Sequence, residues 1–67
     1  MAEVTAVKKF LADKYGKKEE DLEDSTKLSS ITTKTSEAAG YLKDEYGTEL
    51  STSDLEDATI ETLADKL

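Results

Sequence analysis

The sequence predicts an all-α fold, a small four-helix bundle of three longer helices and one short helix, with a long loop between the first and second. Three observations predict it. Apolar residues recur at helical spacing in separate stretches, a glycine follows the last apolar residue of two of those stretches, and no stretch alternates apolar and polar residues as a strand does.

In the first stretch Val4, Val7, Phe10, Leu11 and Tyr15 fall at i, i+3, i+6, i+7 and i+11, a one-sided stripe of helical period. Gly16 then ends the helix, because it takes the left-handed conformation at little steric cost, and Lys14, Lys17 and Lys18 sit where the negative helix end favours cations. Residues 17–31 keep no sustained period. They read as a long loop pinned by three apolar anchors, Leu22, Leu28 and Ile31, and a loop of that length in a compact domain is more often functional or mobile than merely connecting. The run Thr32-Thr33-Lys34-Thr35-Ser36 is poor in helix propensity, since its β-branched and hydroxyl side chains lose rotamers or bond locally to the backbone. The second helix is therefore expected to start late, or to fray at that end.

From Glu37 the period returns. Ala38, Ala39, Leu42 and Tyr46 form a stripe at i, i+1, i+4 and i+8, and Gly47 ends it. Gly40 lies inside this helix at a cost of about 1 kcal/mol relative to Ala, which reads either as room kept for a close neighbour or as a tolerated glycine on an exposed face. Ser51-Thr52-Ser53-Asp54 has the spacing of a capping box, with Leu50 ahead of it as a staple, and predicts a short third helix through Leu55. Ile60, Leu63, Ala64 and Leu67 repeat at i, i+3, i+4 and i+7, a fourth helix capped by Asp57 or Thr59.

With 67 residues the chain forms one domain, near the lower size at which a hydrophobic core suffices. It contains neither cysteine nor histidine. Disulfides, thiol nucleophiles and thiolate metal sites are excluded, and so are the usual general base near neutral pH and the commonest metal ligand, so an autonomous enzyme is not expected. The net charge of −7 is uneven: residues 1–33 carry six Lys against seven acids, residues 34–67 three Lys against nine. Such a surface repels nucleic acid and anionic lipid and attracts basic protein patches. Glu19-Glu20-Asp21-Leu22-Glu23-Asp24 is dense in carboxylates but lacks the alternating ligands, central glycine and closing Glu of a calcium loop. No apolar run is long enough to span a bilayer, and a cytoplasmic monomer is the expectation.

Taken in order, these pieces resemble the acyl carrier protein family. Tyr15-Gly16 followed by Lys18-Glu19-Glu20-Asp21-Leu22 is similar to the end of that family's first helix and the acidic stretch after it, and Asp24-Ser25-Thr26-Lys27-Leu28 to its loop anchor. The run from Gly40 to Ser51 is similar to the end of the second helix and the following turn, and Thr59 to Leu67 to the closing helix. The resemblance implies a carrier for fatty acid, polyketide or related biosynthesis, which holds acyl intermediates as thioesters on a covalent 4′-phosphopantetheine arm. It implies as partners a phosphopantetheinyl transferase and acyl-processing enzymes with basic docking patches. Family members attach the arm to the serine of an Asp-Ser-Leu tripeptide at the start of the second helix, and this chain has no such tripeptide. Ser29-Ser30-Ile31 is the nearest local match and makes Ser30 the attachment point, whereas counting back from Tyr46 places it at Thr32. The loop is also several residues shorter than in the family. The docking residues implied are Glu37, Asp44 and Glu45 on the second helix and Asp54, Glu56 and Asp57 on the third. The small residues Ala38, Ala39, Gly40, Ala58 and Ala64 read either as space for an acyl chain lined by Leu42, Tyr46, Leu55, Ile60 and Leu63, or as core. A second function fits the same residues: an unmodified, carrier-like module that binds or regulates another protein through its acidic faces.

Overall fold

The computed structural model describes all residues, 1–67. It contains five α-helices: α1 (Val4–Tyr15), α2 (Leu28–Ile31), α3 (Thr35–Tyr46), α4 (Thr52–Glu56) and α5 (Ile60–Lys66). There is no β-strand, only one isolated bridge between Lys27 and Thr59. The all-α class therefore holds, while the four-helix layout needs correcting. The stretch 17–31 contains a turn of 3-10 helix (Glu19–Asp21) and the single-turn helix α2.

The two glycine stops lie where the sequence put them. Gly16 has φ 65° and its N–H donates to the carbonyl of Ala12; Gly47 has φ 71° and its N–H donates to that of Lys43. Both are left-handed positions at which a side chain is strained. At the starts of α4 and α5 side chains satisfy the orphan donors. Ser51 Oγ accepts from the Asp54 N–H while the Asp54 carboxylate accepts from the Ser51 N–H, at 3.2 and 3.0 Å, which fixes α4. Thr59 and Thr62 make the same reciprocal pair at the start of α5, at 3.2 and 2.8 Å, so Thr59 rather than Asp57 is the cap.

Packing follows the apolar stripes, with α1 lying mainly against α5 and α3 against α4. The core is one cluster of 14 buried residues, all apolar. From α1 it takes Val7, Leu11 and Ala12, while Val4, Phe10 and Tyr15 are only half-buried at its edge. From α3 it takes Ala38 and Leu42, and from α5 Ile60, Leu63 and Ala64. All three loop anchors, Leu22, Leu28 and Ile31, reach the cluster.

What holds the first connection is a set of backbone bonds to the α4–α5 junction. Leu28 N–H donates to the Ala58 carbonyl at 2.9 Å; Ile60 and Glu61 N–H donate to the Thr26 and Asp24 carbonyls at 3.1 and 3.0 Å. The first turn of α5 thus spends its free donors on the loop, and the loop gains fixed positions in return. Ala2 N–H closes the other side by donating to the Ala64 carbonyl at 2.9 Å.

Candidate functional site

Six of the eight residues from Ser29 to Ser36 carry a hydroxyl group. This segment leaves the core at Ile31 and re-enters it at Ala38, so its side chains are presented between two buried anchors. Ser30 lies on α2, exposed, with its N–H donating to the Lys27 carbonyl at 2.9 Å and its hydroxyl free of protein partners. Thr32 follows α2 and is half-buried; its Oγ1 accepts from the Lys34 N–H at 3.0 Å. Both residues precede α3, whose first residue is Thr35. The exposed hydroxyl inside the first turn of α3 is that of Ser36, which sequence reasoning passed over because it expected the helix to start late or fray over residues 32–36, with the apolar period returning only from Glu37.

Unlike α4 and α5, α3 has no side-chain cap. Lys34 occupies the N-cap position, and the first intrahelical donors, Glu37 and Ala38, bond to its carbonyl at 3.1 and 3.3 Å. The N–H groups of Thr35 and Ser36 find no protein acceptor. Two free donors at the positive end of a helix suit a phosphate ester attached at the same end. A serine hydroxyl in this segment therefore fits a phosphodiester-linked arm: Ser36 sits among the free donors, whereas Ser30 is open to solvent one short helix earlier. Beneath the segment Tyr15 is half-buried and its hydroxyl is enclosed without a hydrogen-bond partner. Burial raises the Tyr15 pKa; the Thr32 hydroxyl opposes that rise but stands outside hydrogen-bond geometry.

The acidic residues divide into two groups. Glu37, Asp44 and Glu45 on α3, Glu56 on α4 and Asp57 just after it are exposed and make no ion pair within 4 Å. Asp54 is committed elsewhere. Its carboxylate closes the α4 capping box and lies 3.1 Å from Lys66 Nζ, and the Ser51 backbone N–H foremost, with Lys66, holds its pKa down at about 2. Asp54 thus ties α4 to the end of α5, which is a structural task, while the other five carboxylates remain free to meet cations.

The small residues do not leave an internal space. Ala38, Ala58 and Ala64 are buried in the same cluster as Leu42, Leu55, Ile60 and Leu63, and none of the three surface grooves reaches these residues. Gly40 is exposed, and a methyl group in place of its hydrogen would meet no atom within 4 Å. Of the two readings of Gly40, the exposed face is the one the structure shows. No group of three or more acidic side chains is arranged to hold a metal ion, and no helix is long and apolar enough to cross a membrane. Comparison with models of protein families gives no match to the chain, and comparisons with curated proteins and with solved structures likewise give none.

Proposed function

We propose that the domain is an acyl carrier, a handle whose exposed serine accepts 4′-phosphopantetheine and whose acidic helices α3 and α4 present the loaded arm to other enzymes. The observation that carries this reading is the hydroxyl-rich segment Ser29–Ser36 running into the uncapped, positive end of α3. The acceptor is Ser30 on the sequence match or Ser36 on the helix geometry. In either case the chain supplies a nucleophilic hydroxyl oxygen and a positive helix end. The oxygen bonds to the phosphorus of coenzyme A that carries the pantetheine, the P–O bond of the diphosphate breaks to release adenosine 3′,5′-bisphosphate, and the partner transferase supplies the base that takes the hydroxyl proton. The arm, once bound, supplies the thiol that holds the acyl group. Glu37, Asp44, Glu45, Glu56 and Asp57 draw basic patches toward α3 and α4, which raises the rate of encounter more than its strength.

Incubation with coenzyme A and a broad-specificity phosphopantetheinyl transferase is expected to add one phosphopantetheine to the intact mass. Ser30→Ala and Ser36→Ala, made separately, identify the acceptor as the variant that stays unmodified. Addition to neither the wild type nor either variant rejects the carrier reading. The second reading, an unmodified protein-binding module, is favoured by the five unpaired carboxylates together with the absence of Asp-Ser-Leu, and a protein that binds a basic partner without gaining mass establishes it.

A further inference from the structure

We infer that the seam between α1 and α3 is a docking surface for an arginine-bearing segment of a partner protein. All four aromatic side chains of the chain, Phe10, Tyr15, Tyr41 and Tyr46, come from these two helices. They meet in two edge-to-face pairs, Phe10 with Tyr46 at 6.2 Å between ring centroids and Tyr15 with Tyr41 at 6.3 Å. Lys14 joins the pairs: its Nζ lies 4.8 Å from the centre of the Tyr41 ring and 5.7 Å from that of Phe10. The chain's own ammonium group thus already rests on these rings and makes no ion pair with a carboxylate.

Beside Lys14 runs an open groove of about 240 Å³, lined by Ala6, Lys9, Phe10, Asp13, Glu45 and Tyr46. Asp13 comes from α1 and Glu45 from α3; both are exposed and neither is in an ion pair within 4 Å. The groove's lining carries two carboxylates and one ammonium, Lys9, and the Lys14 ammonium rests beside it on the Phe10 ring. Aromatic rings between unpaired carboxylates are what a guanidinium needs, because it stacks flat on a ring and donates in pairs to a carboxylate, whereas an ammonium does neither. A groove of this size admits one side chain and gives little affinity alone. The remaining charge supplies the rest: the chain is at −7, so a segment with further basic residues is held around the anchored arginine. The same charge repels nucleic acid, which leaves a protein as the occupant. The lining of the groove includes none of residues 29–36, so the inference does not depend on whether a serine there is modified.

Titration of the full chain with hexa-arginine and with hexa-lysine peptides, followed by amide NMR at about 20 mM salt where screening is weak, tests it. Hexa-arginine is expected to move the resonances of residues 10–14 and 41–46 ahead of those of residues 54–57, and to bind about threefold or more tightly than hexa-lysine. The double variant Asp13→Asn with Glu45→Gln should lower hexa-arginine affinity more than the equally neutralised pair Glu56→Gln with Asp57→Asn. Equal affinity for the two peptides, shifts spread evenly over all acidic residues, equal loss in the two double variants, or no binding at all would each overturn the assignment.

Discussion

At Gly40 the helix backbone is bare to solvent, and a methyl group added there meets nothing within 4 Å. Gly40→Ala is therefore expected to raise stability by about 1 kcal/mol, since it removes unfolded-state freedom without a clash. At Gly16 and Gly47, with φ of 65° and 71°, the same substitution should lower stability by roughly 1 kcal/mol, because a Cβ is disfavoured in the left-handed region. Urea denaturation of the three variants checks the opposite signs, and a loss at Gly40 would show that the helix is packed there after all. Asp54 gives a pH prediction. Its folded pKa is lowered from the ordinary 3.8 to about 2, by the Ser51 N–H first and Lys66 next. A lowered carboxylate pKa contributes stability that is present above the unfolded pKa and lost as pH falls through the folded one. Wild type should therefore lose stability between about pH 4 and pH 2, and Asp54→Asn should be weaker at neutral pH yet converge with wild type toward pH 2. Parallel curves for the two proteins down to pH 2 would remove the role assigned to this carboxylate.

Among the elements, α2 shows most clearly how sequence pattern and tertiary contact divide the work. Four residues, Leu28 to Ile31, cannot display a helical period, and isolated helices of one turn do not persist in water. Leu28 is nonetheless fully buried, and its N–H is bonded to Ala58 across the molecule. Leu28→Ala is expected to cost about 2–5 kcal/mol, as for other buried leucines, and to release the 24–28 backbone from the start of α5. Hydrogen exchange should then speed up at Leu28, Ile60 and Glu61 together. Fast exchange at Leu28 alone would mean that the connection is not coupled to α5. The elements α1, α4 and α5 were legible because each has a local cause, Gly16 after the stripe of α1, the Ser51–Asp54 box of α4 and the apolar period of α5, whose cap the Thr59–Thr62 pair then decided against Asp57. The start of α3 was not, since Thr35 and Ser36 have low intrinsic helicity and join the helix ahead of the apolar positions Ala38 and Leu42, which anchor it in the core.

For the molecule as a whole, a core of 14 apolar residues in 67 leaves a small margin, so terms that act on all residues at once become visible. The largest of these is self-repulsion, for 16 acids face nine lysines and only three ion pairs form. Raising salt from about 10 to 150 mM shortens the screening length from roughly 30 to 8 Å and is expected to stabilise the fold, by about 4–8 °C in Tm for each kcal/mol of repulsion removed. A Tm that falls with salt would mean that the three exposed ion pairs outweigh the excess negative charge, against the small worth of such pairs elsewhere. The amino-acid sequence by itself determined the all-α class, the two glycine stops, the capped start of α4 and the anionic surface, because each depends on residues within a few positions of one another or on composition. Only the tertiary structure decided that the first connection is laced to α5, that Asp54 is a brace while Glu37, Asp44, Glu45, Glu56 and Asp57 stay free, that Ala38, Ala58 and Ala64 are filled core while Gly40 is exposed, and that four aromatic rings meet along α1 and α3. Those outcomes depend on which distant segments come into contact, and a helical period records which face is apolar without recording what that face will meet.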